Sequence, residues 1–258
     1  MAFVKKITAF IGTQSKQATY AAVKEFERDL KQYEEVDFEY VFLGDYHLEF
    51  CRSCLNCIAK GEELCPLKDD RDALLAKIEE SDGIVFATPN YAFHVSALMK
   101  NLLDRFAYFY HRPRFFDKTC TAIVTQGIFG GNKIRKYLES MGRNFGFHST
   151  RGGCMMTLRP MTEPQKKRMA REMAKAARRF HEGLLRPVPP PPSLFRLMMF
   201  RIARTNIKRL DDSFVDYRYF KEMGWFESDY YHETTLGPFK KAAGNLFDFL
   251  GRTVAKVG

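Results

Sequence analysis

The sequence predicts an open, doubly wound α/β fold, with a five-stranded parallel sheet covered by helices on both faces and followed by a C-terminal helical extension. Three observations carry that reading. Strand-like apolar runs alternate with amphipathic helical stretches from residue 6 to residue 185. The runs end in Gly, Thr, Pro or Asn, so they give way to loops at the strand ends, where sheets of this kind place ligands. The stretch PVPPPP at 187–192 excludes helix and sheet alike and closes the compact region with a stiff linker. The expected division is therefore a sheet domain over 1–186, a linker over 187–192 and an extension over 193–258.

Taken in order, residues 6–11 form the first strand and run into Gly12, after which Ala18, Ala21, Ala22, Phe26 and Leu30 recur at helical spacing. The loop between them offers the hydroxyls of Thr13, Ser15 and Thr19, the cation of Lys16 and the amides of a helix start. All of these suit a phosphate, and an ordinary capped helix is the alternative. Residues 38–43 are the second strand. A cysteine run follows, and then a charged helix over 69–80 with Leu74, Leu75 and Ile78 on one face.

Ile84, Val85 and Phe86 suit a strand buried on both faces, and Thr88-Pro89-Asn90 is expected to stop it. From Val95 onward Leu98, Met99, Leu102, Leu103 and Phe106 mark a helix lying on the sheet. The loop from Pro89 to Phe93 between strand and helix is the first candidate site. Residues 121–125 are the fourth strand, and QGIFGG at 126–131 is a second glycine-rich loop beyond a strand end. A helix over 133–145, a weaker fifth strand over 147–156 broken by Gly152-Gly153, and a long basic helix over 163–185 complete the alternation.

In the extension, residues 194–210 mix apolar residues with Arg196, Arg201, Arg204, Lys208 and Arg209. Residues 239–254 place Phe239, Ala242, Ala243, Leu246, Phe247 and Leu250 on one helical face. Between them lies an aromatic segment holding the sole tryptophan, Trp225. The extension is too small for a comfortable core of its own, so its apolar faces are expected to cover the main domain, a second subunit or a membrane surface. The acidic, tyrosine-rich middle favours a subunit interface, and hence a homo-oligomer, over peripheral contact with an anionic membrane.

The chain of 258 residues is 45% hydrophobic and 28% charged, as ordinary globular proteins are, and its formal net charge of +10 favours an anionic partner. Lys166, Lys167, Arg168, Arg178 and Arg179 ring a helix without a reading motif, which speaks against nucleic acid. The opening MAFVKKITAF lacks the apolar stretch of a secretory signal, no segment is long and apolar enough to span a membrane, and the six cysteines then point to metal or redox chemistry. A cytoplasmic location is expected. The histidines show no ligand or triad spacing, so no protein acid or base is assigned.

The segment ATPNYAFHVSALMKNLLDR at 87–105 resembles the SPxYxxxxSAxLKxFxDR segment of the NAD(P)H-dependent FMN reductase and iron–sulfur flavoprotein group, whose fold is flavodoxin-like. CRSCLNCIAKGEELCPLKDD at 51–70 looks like that group's cysteine-rich stretch, and residues 126–131 are similar to its glycine loop. The phosphate loop departs from the usual GSPRxxGN pattern, lacking its proline and inner glycine. The resemblance implies an FMN-dependent enzyme that takes hydride from NAD(P)H and reduces a small acceptor such as a quinone, a nitro or azo compound, or free flavin. Thr13, Ser15, Lys16 and Thr19 would hold the phosphate. Pro89, Asn90, Tyr91 and Phe93 would line one side of the ring, and Gln126, Gly127, Gly130 and Gly131 the other. Cys51, Cys54, Cys57 and Cys65 match the motif that wraps a [4Fe–4S] cluster, with zinc as the chemical competitor and plain buried thiols as the third reading. With a cluster, the alternative function is an electron carrier taking electrons from a ferredoxin.

Overall fold

The computed structural model describes residues 4–158, 160–186 and 189–254, so Pro187 and Val188 of the expected linker lie outside the described residues. In chain order the elements are β1 (Lys5–Ile11), α1 (Ala18–Leu30), β2 (Val36–Phe42), α2 (Asn56–Ala59), α3 (Arg71–Glu79), β3 (Gly83–Pro89), α4 (Ala97–Arg105) and β4 (Thr119–Gln126). There follow α5 (Gly131–Phe145), β5 (His148–Ser149), β6 (Gly153–Met156), α6 (Glu163–Leu184), α7 (Leu194–Ile207), α8 (Val215–Glu222) and α9 (Pro238–Val254). They fall into two compact units. The first is Met1–Arg52, Leu67–Ala107 and Arg114–Val188; the second is Ser53–Pro66, Tyr108–Pro113 and Pro189–Gly258.

The first unit is the flavodoxin-like sheet, with every pairing parallel and the order β2-β1-β3-β4-β5. The weak fifth strand is two short pieces, β5 and β6, both paired to β4. Between them the chain passes so close over β4 that a Cβ on Gly152 would stand 1.8 Å from the Ala122 carbonyl oxygen, and the pairing breaks there. The central strands carry no exposed apolar side chain: Ile7, Ala9, Phe10 and Ile11 of β1 and Ile84, Val85, Phe86 and Ala87 of β3 are all buried. On one face α1 presents Ala22, Val23, Phe26 and Leu30, and Phe26 meets Phe180 of α6 edge-on at 5.5 Å. Thr162 and Gln165 form a reciprocal capping box that starts α6.

β3 runs further than its sequence suggests. Thr88 and Pro89 do not stop it but pair with Val124 and Thr125 of β4, and the turn begins at Asn90. A proline that ends a strand loses little, because only its missing N–H is forfeited. Ser96 then caps α4 by accepting from the Met99 amide at 3.3 Å. The buried face of α4 is partly polar: Asn101 donates to the Leu48 carbonyl at 2.8 Å, and Arg105 donates to the Glu49 carbonyl and to both carboxylate oxygens of Asp69. The side chains of Arg105 and Asp69 are 2% and 0% exposed, so this pair is removed from water and fixes the entry to α3.

The second unit has a core of its own, which the extension shares with residues 53–66 and 108–113 of the expected sheet domain. Leu197, Phe200, Phe220, Trp225, Tyr230 and Leu236 are buried, with Trp225 against Phe220 at 5.0 Å and against Tyr231 at 4.7 Å. Residues 53–66 and 108–113 join this unit around the buried Arg112. Its guanidinium binds the carboxylates of Asp216 and Glu62 and the carbonyls of Cys57 and Ile58. Helix α9 packs with the opposite face from the one its apolar pattern indicates. Gly244, Asp248 and Gly251 are buried, while Phe239, Leu246 and Leu250 are 72%, 55% and 39% exposed. The cause is ionic, since Asp248 takes hydrogen bonds from Arg201 and Arg204 of α7, and the two glycines let Arg201 and Thr205 approach. Arg201 and Arg204 are therefore committed inside the fold and not available to a membrane surface.

Candidate functional site

Three loops of the first unit meet beyond the carboxyl ends of β1, β3 and β4. The amide of Gly12 donates to the Ala87 carbonyl at 2.8 Å, the amide of Asn90 to the Thr125 carbonyl at 2.7 Å, and the side-chain amide of Asn90 to the Phe129 carbonyl at 2.9 Å. Each loop is thus tied to the next strand. A Cβ on Gly12 would stand 2.6 Å from the Ser96 hydroxyl, which explains glycine at the first strand end.

The first loop leads into α1 without a capping side chain and without an acidic residue in the first turn. The first-turn amides of a helix have no partners within it, and they carry the positive end of its dipole. Beside them Thr13 and Ser15 share a hydroxyl contact of 3.1 Å, and the Ser15 amide donates to Thr13 Oγ1 at 3.1 Å. Lys16 is exposed, lies 5.6 Å from the ring centre of Phe42 and pairs with no acid among the described residues. Thr19 is placed differently from the other three. It is buried, and its hydroxyl meets Thr125 Oγ1 of β4 at 2.8 Å, so its side chain joins α1 to the sheet.

The second loop is a tight reversal in which Tyr91 and His94 exchange backbone hydrogen bonds of 3.1 and 2.9 Å. Its two central residues, Ala92 and Phe93, have φ of +48° and +62°, a turn that ordinarily calls for Asn-Gly. Each costs about 1 to 3 kcal/mol in that backbone, a strain typical of ligand-contact loops. The turn holds Tyr91 and Phe93 outward, 62% and 63% exposed, while Asn90 keeps a buried Oδ1 without a hydrogen-bond partner.

In the third loop Gln126 is a brace. Its Oε1 accepts from the Gly131 amide at 2.6 Å and its Nε2 donates to the Ile128 carbonyl at 3.3 Å. Gly130 sits at φ +96°, and a Cβ there would strike the Phe93 ring at 2.8 Å. Gly131 packs on Cys154, whose thiol burial pushes up in pKa, and Gly127 faces open space except for Leu158 at 3.8 Å. The sequence reading missed the apolar residues of this rim. Ile128 and Phe129 are 67% and 64% exposed, Leu158 is 47% exposed, and the Phe129 ring lies 5.3 Å from that of Phe93. Two bulky apolar residues inside a glycine loop were the signal that would have found the first two.

The donor set fits a flavin mononucleotide. An uncapped helix start with two hydroxyls suits the phosphate, the apolar rim suits a flat ring, the orphaned Asn90 oxygen suits a ring N–H, and the space above Gly127 is one that a Cβ would fill. In this structure the side chains of Cys51, Cys54, Cys57 and Cys65 are not drawn together around one point. Among the described residues no three His, Cys, Asp or Glu side chains gather as they would around one ion. Cys51 and Cys54 are exposed and Cys57 and Cys65 half-buried. Residues 57–62 wrap a guanidinium, that of Arg112, with Ser53 and Leu55 in left-handed backbone just before them.

Comparison with known proteins bears on this site. The model of the family described as NADPH-dependent FMN reductase matches residues 5–157. An iron–sulfur flavoprotein of Archaeoglobus fulgidus is 31% identical over 144 residues, 55% of this chain and 64% of that protein. The chain thus spans less than two thirds of the length of the first curated relatives it matches, 64% and 61%. Among solved structures, the NAD(P)H:quinone oxidoreductase from Methanothermobacter marburgensis shares the fold with a TM-score of 0.55 at 16% identity, over 68% of this chain and 96% of its own. RosB, solved with a bound formylriboflavin phosphate, has a TM-score of 0.54 at 14% identity. It covers 91% of this chain and 92% of its own, so its match extends beyond the sheet unit into the C-terminal extension.

Proposed function

Because the chain belongs to the NADPH-dependent FMN reductase family, we propose that it holds one FMN at the carboxyl edge of its sheet and oxidises NAD(P)H to reduce a small acceptor of the quinone, nitro, azo or flavin class. The observation that carries the reading is the buried, unpartnered Oδ1 of Asn90 at the meeting point of the three loops. An unmet acceptor costs about 1 to 3 kcal/mol, which a ring N–H would recover.

When bound, FMN supplies the redox chemistry, accepting hydride from the nicotinamide and returning electrons to the acceptor. The chain's own residues bind and orient. Thr13, Ser15, Lys16 and the first-turn amides of α1, that of Thr19 included, take the phosphate. Pro89, Asn90, Tyr91 and Phe93 set one border of the ring. Gln126 shapes the loop in which Gly127, Gly130 and Gly131 approach the other, and Phe93 with Phe129 keeps water from that edge. No side chain is assigned to move a proton.

We propose that a second copy of the chain covers the apolar rim or the exposed stripe of α9, where Phe239, Leu246, Phe249 and Leu250 stand exposed on one side of the helix. No helix among the described residues is long and apolar enough to cross a membrane. The test is reconstitution. Under anaerobic conditions, apoprotein given FMN should oxidise NADPH beyond one equivalent per flavin only when a quinone is present, and Cys54→Ser should do so equally well. Selective uptake of FAD, or turnover lost with Cys54, would overturn the proposal.

A further inference from the structure

The second unit contains a cleft of about 740 Å³ between α7, the segment after α8, and α9, within the size range of small-molecule sites. All of its lining residues lie beyond residue 157, where the family match ends, and none is among the residues assigned to the flavin. Five cations line it, namely Arg201, Arg204, Lys208, Arg209 and Arg252, against three carboxylates, which leaves a net of two positive charges.

The carboxylates are all spent internally. Asp248 serves Arg201 and Arg204, Asp229 serves Arg201, and Glu227 serves Lys208. Arg209 and Arg252 are exposed and form no ion pair among the described residues, so two guanidiniums with forked donors stand at the cleft unneutralised. Deeper in, Arg201 is 5% exposed and its buried Nε has no hydrogen-bond partner. The aromatic lining residue is Phe226, half-buried and held by Tyr217 at 5.1 Å and Phe220 at 6.0 Å.

We propose that this cleft binds a nucleoside phosphate, with Arg209 and Arg252 on the phosphate groups and the base against Phe226. Guanidiniums match phosphate in fork geometry, and an aromatic wall accepts the face or edge of any base. The excess of positive charge in the chain thereby gains a destination that the flavin loop, whose one cation is Lys16, does not provide.

Calorimetric titration of the full, FMN-loaded chain with ADP, and separately with inorganic phosphate, tests this. Saturable ADP binding is expected, weakened about tenfold or more when Arg209→Ala and Arg252→Ala are combined. Phe226→Leu should weaken ADP while leaving inorganic phosphate unchanged. Both arginines are exposed and unpaired, so the double variant should keep the wild-type melting temperature and its reduction by NADPH. No binding of ADP, or wild-type affinity in the double variant, would overturn the proposal. Equal affinity for ADP in Phe226→Leu would overturn the nucleoside assignment.

Discussion

Gly130→Ala separates the cost of shaping the flavin loop from the cost of folding. The substitution puts a Cβ on a residue at φ +96°, a backbone that disfavours L side chains by about 1 to 2 kcal/mol. It also drives that carbon to 2.8 Å from the Phe93 ring and 3.3 Å from the Asn90 amide nitrogen, whose hydrogen bond to the Phe129 carbonyl is worth about 1 kcal/mol. The sum is about 2 to 3 kcal/mol. An exposed loop relaxes in the apoprotein, so little of this should appear in the melting temperature, and binding the cofactor must then restore the native shape. FMN affinity should fall roughly 30- to 100-fold. Gly127→Ala is the companion. Its Cβ would touch only Leu158 at 3.8 Å, so apoprotein stability should stay unchanged, while the methyl occupies the space assigned to the ring. Fluorescence titration of each apoprotein with FMN, beside thermal melts, reads both quantities. Wild-type affinity in both variants would refute the placement of the cofactor at this loop.

Other outcomes follow from the same contacts. Ser15→Ala should weaken FMN by removing a hydrogen bond to a charged phosphate, worth about 1.5 to 3 kcal/mol, and should leave riboflavin binding unaltered; competition binding with the two flavins checks this. Asp248→Ala leaves Arg204 without a carboxylate and Arg201 with Asp229 alone, and should cost about 3 to 5 kcal/mol of stability, measured by urea unfolding of the whole chain. Burial pushes the Asp69 carboxyl up, but hydrogen bonds from Arg105 and from the amides of Glu49 and Arg71 outweigh it and hold the pKa below the ordinary carboxylate value. A carboxylate lowered in the folded state contributes stability above its unfolded pKa of about 3.9 and loses it as pH falls toward the lower folded value. The stability gap between wild type and Asp69→Asn should therefore be full at pH 7 and shrink below about pH 4, as unfolding curves across that range would show.

The sheet was legible because its central strands are buried on both faces and advertise it with unbroken apolar runs, as at Ile84, Val85 and Phe86. The loops at the strand ends followed from where those runs stop, although Pro89 was mistaken for the stop itself when it is the last paired residue. Side-chain roles were less legible. Thr19 stands among plausible phosphate ligands in sequence, yet only the packing of α1 on β4 turns its hydroxyl to Thr125. The left-handed turn at Ala92 and Phe93 left no local trace, since neither residue favours that backbone and the surrounding hydrogen bonds impose it. Periodicity misled most at α9, where an apolar stripe implied a buried face that ionic pairing of Asp248 with two arginines turns outward. Patterns of hydrophobicity do not register a buried ion pair between residues 47 apart in sequence. Nor does pattern show that Arg112, far along the chain, holds the carbonyls of Cys57 and Ile58.

The central claim is that the chain itself passes electrons from a nicotinamide to its flavin. Anaerobic stopped-flow mixing of the FMN-loaded protein with NADPH alone tests it most directly. Rapid, complete bleaching of the flavin absorption, with a rate that saturates in NADPH concentration, is the expected result. A flavin that stays oxidised with NADPH and is reduced only when a reduced ferredoxin is added would contradict it.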